Sequence, residues 1–333
     1  MIIPKDSTGK PMRVVYRPET LTFRGEKFNC AYMSFRDDEL NEGFTTTESD
    51  SIWYNQVTNQ YREKHGIPYQ DEIIATRERY GVSASKMSLI LGFGTNQYRL
   101  YEEGEVPSES NGKMIRSAMN PRVFQELVGA SRNLLSEKEF VKISAKVEDV
   151  IAQSHAREDD QWAERRIFRT GRGLANGFAP QSTARLRSLL VYVLGKMGDT
   201  FQTKMNKVLF YIDFLSYRER GMAISGLAYQ AIEFGPVPLR WDRVYSGFDE
   251  VVPQSKMVKD QECTVLTTDV KADTSLFSKE ELDIIDAVCK KLAGVSAKKI
   301  VEMSHLESAW KKYYNPSQST LIPFEEAFYL VAF

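Results

Sequence analysis

Side chains suited to reading nucleic-acid bases gather at one place in the chain. Behind Gly92-Phe93-Gly94 stand Thr95, Asn96, Gln97 and Arg99. Asn and Gln bond adenine at two points, and Arg does the same with guanine. Upstream, Ser83, Ser85 and Lys86 open a short run with apolar residues at helical spacing. Hydroxyls, an ammonium and the free amides of a helix start suit a phosphate. These seven residues form the candidate DNA-binding set. A second cluster suits a protein partner: Tyr229, then Phe234-Gly235-Pro236-Val237-Pro238. Two prolines within five residues exclude helix and strand and fix a turn. A rigid apolar turn facing solvent is also a docking platform.

Chemistry that needs a metal or an activated nucleophile finds no comparable cluster. The three histidines, His65, His155 and His305, do not stand at helical spacing from one another. The three cysteines, Cys30, Cys263 and Cys289, form no CxxC pair and read as small hydrophobes. The chain has no GxGxxG, Walker loop, HExxH or GxSxG. Gly92-Phe93-Gly94 has no strand before it and reads as a turn. The expectation is a non-enzymatic protein with no catalytic residues, no metal and no cofactor. His305, near Trp310, reads as a hydrogen-bonder at a helix start. Free thiols, the lack of a leader and the lack of a membrane-length apolar run point to the cytoplasm.

The elements that must position these residues follow from periodicity. Residues 13 to 45 read as strands, with Ala31, Met33 and Phe35 alternating against Cys30, Tyr32 and Ser34, and a hairpin turn at Gly25. Residues 48 to 65 read as a helix stopped by Gly66 and Pro68. Three short helices follow: Asp71 to Tyr80, one capped by Ser83 and ending at Gly92, and one from Thr95 to about Glu102. Helix, glycine turn, helix is the pattern of a helix-turn-helix. Residues 113 to 167 look helical, with alternating charges from Ser154 to Arg169 marking a connector. GRGLANGFAPQS, residues 171 to 182, reads as a linker.

Beyond it, Leu186 to Met197 carries an apolar stripe. Residues 204 to 217 are apolar almost all round, as in the central buried helix of a domain. Within that helix Tyr211 and Phe214 read as core, and Asp213 requires a partner, either a backbone amide or an arginine. Short strands are expected near 251 to 257 and 262 to 268. Ser278 and Glu281 form a capping box for a helix to Leu292. Two short helices close the pattern near 296 to 303 and 305 to 313.

With 333 residues, the chain is long enough for two domains. Its formal net charge is −1, so no whole-chain field draws it to nucleic acid. Residues 71 to 122 hold seven basic and seven acidic groups, so the case for DNA binding rests on pattern.

Two resemblances add to this reading. RERYGVSASKMSLILGFGTNQYRLYEEGEVPS, with TLTFRGEKFNCAYMSF and QYREKHGIP upstream, resembles the Xre-type helix-turn-helix region of MqsA/YgiT-like antitoxins over about residues 10 to 120. That resemblance implies a dimeric or higher homo-oligomeric repressor of its own operon. Such proteins often carry a zinc ribbon on two CxxC pairs; only Cys30 stands in the matching region, which implies a metal-free β unit. KMNKVLFYIDFLSYRERGMAISGLAYQAIEFGPVPLRWDRVY and FSKEELDIIDAVCKKLAGVSAKKIVEMSHLESAWKKY resemble the Panacea, or SocA-like, domain. This implies an antitoxin that neutralises a cognate toxin, with Tyr229 and Phe234 to Pro238 as the toxin-binding set.

The implied fold is mainly α with small β elements, an α+β class. Its segments are a β unit and helix at 1–66, a helix-turn-helix at 67–125, a connector and linker at 126–182, and a Panacea domain at 183–333. The implied partners are the toxin and operator DNA, with no membrane. Two alternatives remain: a transcriptional regulator whose C-terminal half senses a ligand or partner, and an adaptor that delivers a toxin to a protease.

Overall fold

The computed structural model describes residues 3–38, 40, 42–154, 164–258 and 261–333. His155 and residues 156–163 of the expected connector lie outside the described residues. Contacts divide the chain into two units, Met1–Val57 with Trp162–Phe333, and Thr58–Gln161. In sequence, the second unit is an insertion into the first. The architecture is mainly helical with three small sheets, the α+β class expected.

Strands β1 (Arg13–Phe23) and β2 (Glu26–Asp37) pair antiparallel, Phe23 opposite Glu26. Their two-residue turn, Arg24-Gly25, has φ angles of 49° and 82°. Positive φ at both positions is the type I′ condition, whose twist matches that of the strands. β3 (Glu42–Phe44) pairs with the end of β2. Met33 and Phe35 are fully buried as the alternation requires, but Cys30 of the opposite parity is buried as well. The middle of β2 is therefore covered on both faces.

Helix α1 (Thr47–His65) begins in the first unit. Its buried Gln56 accepts from Ala31 N (2.9 Å) and donates to Ala31 O (3.1 Å). This amide satisfies both backbone groups of a β2 residue, as a neighbouring strand would. Asn55 donates to Arg220 O at 3.0 Å, which ties α1 to the C-terminal part of the same unit.

The second unit continues through α2 (Gln70–Tyr80), α3 (Ala84–Ile90), α4 (Gln97–Glu102), α5 (Glu109–Ala118), α6 (Pro121–Ala130) and α7 (Glu137–Ser154). Ile73, Tyr80, Met87, Tyr98, Ile115 and Phe124 share one core. Ile143, Val147 and Val150 of α7 belong to it too. These three sit at i, i+4 and i+7, one face of a helix. So α7, expected within a connector, is a packed helix of this unit.

The first unit resumes with α8 (Thr183–Met197), β4 (Thr200–Phe201), α9 (Gln202–Arg220), β5 (Tyr229–Ile232), β6 (Gly235–Pro238), α10 (Trp241–Val244), β7 (Val252–Val258), β8 (Gln261–Thr267), α11 (Lys279–Leu292), α12 (Ala297–Leu306), α13 (Ser308–Lys311) and β9 (Thr320–Leu321). One sheet has the order β4-β8-β7 and another β6-β5-β9. Every residue of α9 from Lys204 to Tyr217 is buried, which makes it the central helix its composition predicts. The capping box at α11 forms: Glu281 N donates to Ser278 Oγ (3.2 Å), and Ser278 N to Glu281 Oε2 (2.9 Å).

Two expectations fail here for physical reasons. Residues 171–182 are no loose linker: Asn176, Phe178 and Ala179 are fully buried. Gly173 N donates to Asn176 Oδ1 (2.9 Å), and Asn176 Nδ2 donates to Gly226 O (3.2 Å). Gly177 serves close approach rather than flexibility. A Cβ at Gly177, whose φ is 60°, would stand 2.7 Å from Ala223 Cβ and 2.9 Å from the Phe324 ring. Gly235 to Pro238, expected to exclude a strand, forms one against β5, with Pro236 opposite Ala231 and Pro238 opposite Tyr229. β6 is an edge strand, and an edge tolerates a residue without an N–H.

Gly177→Ala is expected to destabilise the protein by roughly 2–4 kcal/mol, through overpacking added to left-handed strain. Gly25→Ala, with nothing within 4 Å of its Cβ, should cost only about 1 kcal/mol of strain. Urea unfolding of both variants checks the ordering; equal losses would mean that Gly177 is not a packing site.

Candidate functional site

The helix-turn-helix candidates lie on α3, α4 and the turn between them. Ser83 caps α3, its Oγ accepting from Lys86 N at 3.3 Å. Ser88 and Tyr98 lock the two helices together: Tyr98 N donates to Ser88 Oγ (3.0 Å), and the Tyr98 hydroxyl donates to Ile73 O of α2 (2.7 Å). Burial raises the Tyr98 phenol far above its ordinary value, with Glu102 adding to the shift, so it stays a neutral donor. α4 starts at Gln97 rather than Thr95. Thr95 and Asn96 belong to the preceding turn, where Gln97 N bonds Gly94 O at 2.9 Å. The structure thus brings the seven candidates onto two packed helices and their connection.

Ser83, Ser85, Thr95, Asn96 and Arg99 are exposed, and Lys86 and Gln97 are half-buried. Three of the side chains already have acidic companions. Lys86 Nζ stands 3.0 Å from Glu139, Gln97 donates to Glu105 at 3.0 Å, and Arg99 Nε lies 3.7 Å from Glu103. Hydrogen bonds from Ser136, with Lys86 adding to them, hold the Glu139 carboxyl down to about 2. A phosphate meeting Lys86 must displace that carboxylate. Surface ion pairs of this kind contribute little, so the exchange is cheap.

In the first unit the organising group is Asp213 of α9, fully buried. Its Oδ1 accepts from Ile224 N (2.9 Å) and Ser225 N (2.8 Å). Its Oδ2 accepts from the Tyr229 hydroxyl (2.6 Å) and from the Ser225 hydroxyl. The partner foreseen for Asp213 is therefore a backbone-amide pair with two hydroxyls. Burial pushes this carboxyl above its ordinary range, against the pull of the four donors.

The predicted partner-binding set separates sharply. Tyr229 is fully buried, and Gly235, Pro236, Val237 and Pro238 are buried in β6. Only Phe234, 60% exposed, presents a side chain to solvent. Gly235 has a φ of 96°, and a Cβ there would lie 2.5 Å from Ser304 Oγ and 2.9 Å from Lys207 Cε. Trp310 Nε1 donates to Ile232 O (2.7 Å) and holds the other side of the turn. His305 lies in the last turn of α12, not at a helix start, and stacks on Trp310 with centroids 3.9 Å apart.

Sequence reasoning passed over Ser225 and Lys207. A serine in a small-residue turn carries no periodic signal. A lysine inside an otherwise apolar helix does stand out, and that was the available sign.

Among the described residues no group of three or more His, Cys, Asp or Glu is placed to hold a metal. No helix among them is long and apolar enough to cross a membrane.

Residues 205–311 match the family of SocA-like antitoxins, Panacea domain. The match begins in α9 and ends in α13, so it contains Asp213, Ser225, Tyr229, the Phe234–Pro238 turn and Trp310. Neither α2 to α6 nor the N-terminal strands fall within it. No curated protein matches the chain, and no solved structure does.

Asp213→Asn places an amide donor where two hydroxyls donate and should cost about 3 kcal/mol or more. Tyr229→Phe removes one of four donors and should cost about 1–2 kcal/mol. Phe234→Ala, at an exposed position, should stay within about 0.5 kcal/mol of the unsubstituted protein. Urea denaturation tests this order, and a benign Asp213→Asn would remove Asp213 from the centre of the argument.

Proposed function

We propose that the chain is an antitoxin that binds and blocks a cognate toxin through the Panacea region and represses its own operon through α2 to α6. The observation that carries this reading is the match of residues 205–311 to an antitoxin domain. The spacing and packing of α2, α3 and α4, with exposed Thr95, Asn96 and Arg99, support the operator-binding half. Residues of this kind at the start of a second helix reach base edges in the major groove. Toxin contact centres on Phe234, the exposed aromatic of its turn. Buried Tyr229 and the β6 residues act behind it by fixing the turn. No catalytic set enters this reading. A self-associated form fits the two-fold symmetry of operators.

The units sharpen which variants are informative. Residues 1–57 fold with the C-terminal part, so removing the N-terminal half would cut through the unit that contains the Panacea region. Point variants of the full chain avoid this.

Co-expression with the product of the adjacent gene is the first test. That product should be lethal alone and harmless beside this chain, at unchanged toxin level if neutralisation is by blocking. A harmless product, or lethality despite co-expression, defeats the antitoxin reading; a falling toxin level points instead to delivery to a protease. Phe234→Ala should lose neutralisation and keep operator binding. Arg99→Ala should keep neutralisation and weaken operator binding by about 1–3 kcal/mol, if it reads a base. Unchanged operator affinity takes Arg99 out of the interface.

A further inference from the structure

Lys207 of α9 is completely buried. Among the described residues its Nζ has no hydrogen-bond partner. An unpaired buried ammonium works against the fold unless an acceptor completes it. Burial pushes the amine down to about 7, so it is partly protonated near neutrality.

The side chain is also well placed. Its stem lies under Gly235, where a Cβ would meet Lys207 Cε at 2.9 Å and Nζ at 3.3 Å. Lys207 is one of the residues lining an open groove of about 790 Å³, within the size range of small-molecule sites, roughly 300–1,000 Å³. The groove runs between the start of α9, the β5–β6 turn, β8 and α12. Its walls are mainly apolar: Phe201, Val237, Trp241 and Val301, with Phe234 at the turn. Two carboxylates also line it, and each has its own company. Glu262 accepts from the Ser255 hydroxyl (2.6 Å), and Glu302 pairs with Lys299 (3.2 Å). Lys298 is the other cation in the lining. Beside the same turn, His305 Nε2 is a second buried nitrogen that has no hydrogen-bond partner among the described residues. Burial first, and then the Lys207 charge, lower its pKa, so this imidazole stays neutral.

We propose that this groove binds a small organic monocarboxylate, its carboxylate on Lys207 Nζ and its aryl or alkyl body along Phe201, Val237 and Trp241. A single buried amine matches a single carboxylate. Glu262 and Glu302 oppose a second negative charge, and a phosphate dianion would find neither a guanidinium fork nor a second buried cation. Nζ is buried as the side chain stands, so contact with an acid in the groove requires the four-carbon stem to change rotamer toward it. This site goes beyond the antitoxin reading and does not depend on it.

The test is calorimetric titration of the full chain with 4-phenylbutyrate and its neutral isostere 4-phenylbutanamide. The acid should bind at one site, and the amide at least about tenfold more weakly. Lys207→Met should abolish that difference while its thermal midpoint stays level or rises, because an unpaired buried charge has been removed. Lys207→Gln repeats the measurement should the Met variant fail to accumulate as folded protein. Trp241→Ala should weaken acid and amide together and leave the acid its advantage. The proposal is overturned if acid and amide bind alike, if neither binds at about 5 mM, or if the Lys207 variants keep the preference for the acid.

Discussion

A carboxylate taken wholly out of water must be met by donors on nearly every side, and Asp213 sets that condition at the centre of the first unit. The donors come from Ile224 N, Ser225 N and the hydroxyls of Ser225 and Tyr229. No cation takes part in this set, so the geometry of the 224–229 segment has to supply what an arginine would otherwise do. Once that segment is held, β5 starts at a fixed place on α9, and β6 and the Phe234 turn follow from pairing with β5. Trp310 then closes the turn from the other side through Ile232 O. An apolar surface residue at Phe234 is thus presented by a chain of buried polar contacts. Such networks specify a unique arrangement only when every member is satisfied.

The N-terminal strands belong to the same construction. Gln56 satisfies both backbone groups of Ala31, and Asn55 reaches Arg220 O just beyond the apolar stretch of α9. Gly221 follows at a φ of 69°, where a Cβ would lie 2.8 Å from Ile52 O. Close packing of α1 on the end of α9 therefore requires a glycine there. The N-terminal strands thus belong to the same unit as the C-terminal part of the chain. The inserted unit, Thr58–Gln161, carries the helix-turn-helix pattern with its own core, to which α7 contributes.

The electrostatics of that inserted unit are balanced in the fold as well as in composition. Glu139, Glu105 and Glu103 stand beside Lys86, Gln97 and Arg99. Exposed pairings of this kind contribute little to stability.

What the sequence determined by itself are features whose partners lie within a few residues. The Arg24-Gly25 hairpin turn, the Ser83 cap and the Ser278–Glu281 box are all local, and all form. The burial of α9 on every side was legible too, since a helix apolar all round has no face to give to water. The tertiary structure alone decided the rest. Whether Gly177 marks a linker or a close approach depends on Ala223 and Phe324, far along the chain. That prolines fit β6 depends on its being an edge. That Tyr229 points at Asp213 and not at solvent, that Phe234 alone of the expected partner-binding set is exposed, and that Lys207 Nζ, beneath Gly235, finds no partner among the described residues are facts of packing between distant segments. Residue type and spacing constrain what a side chain is able to do; the surroundings that decide between core and contact come from segments that composition and period do not bring together.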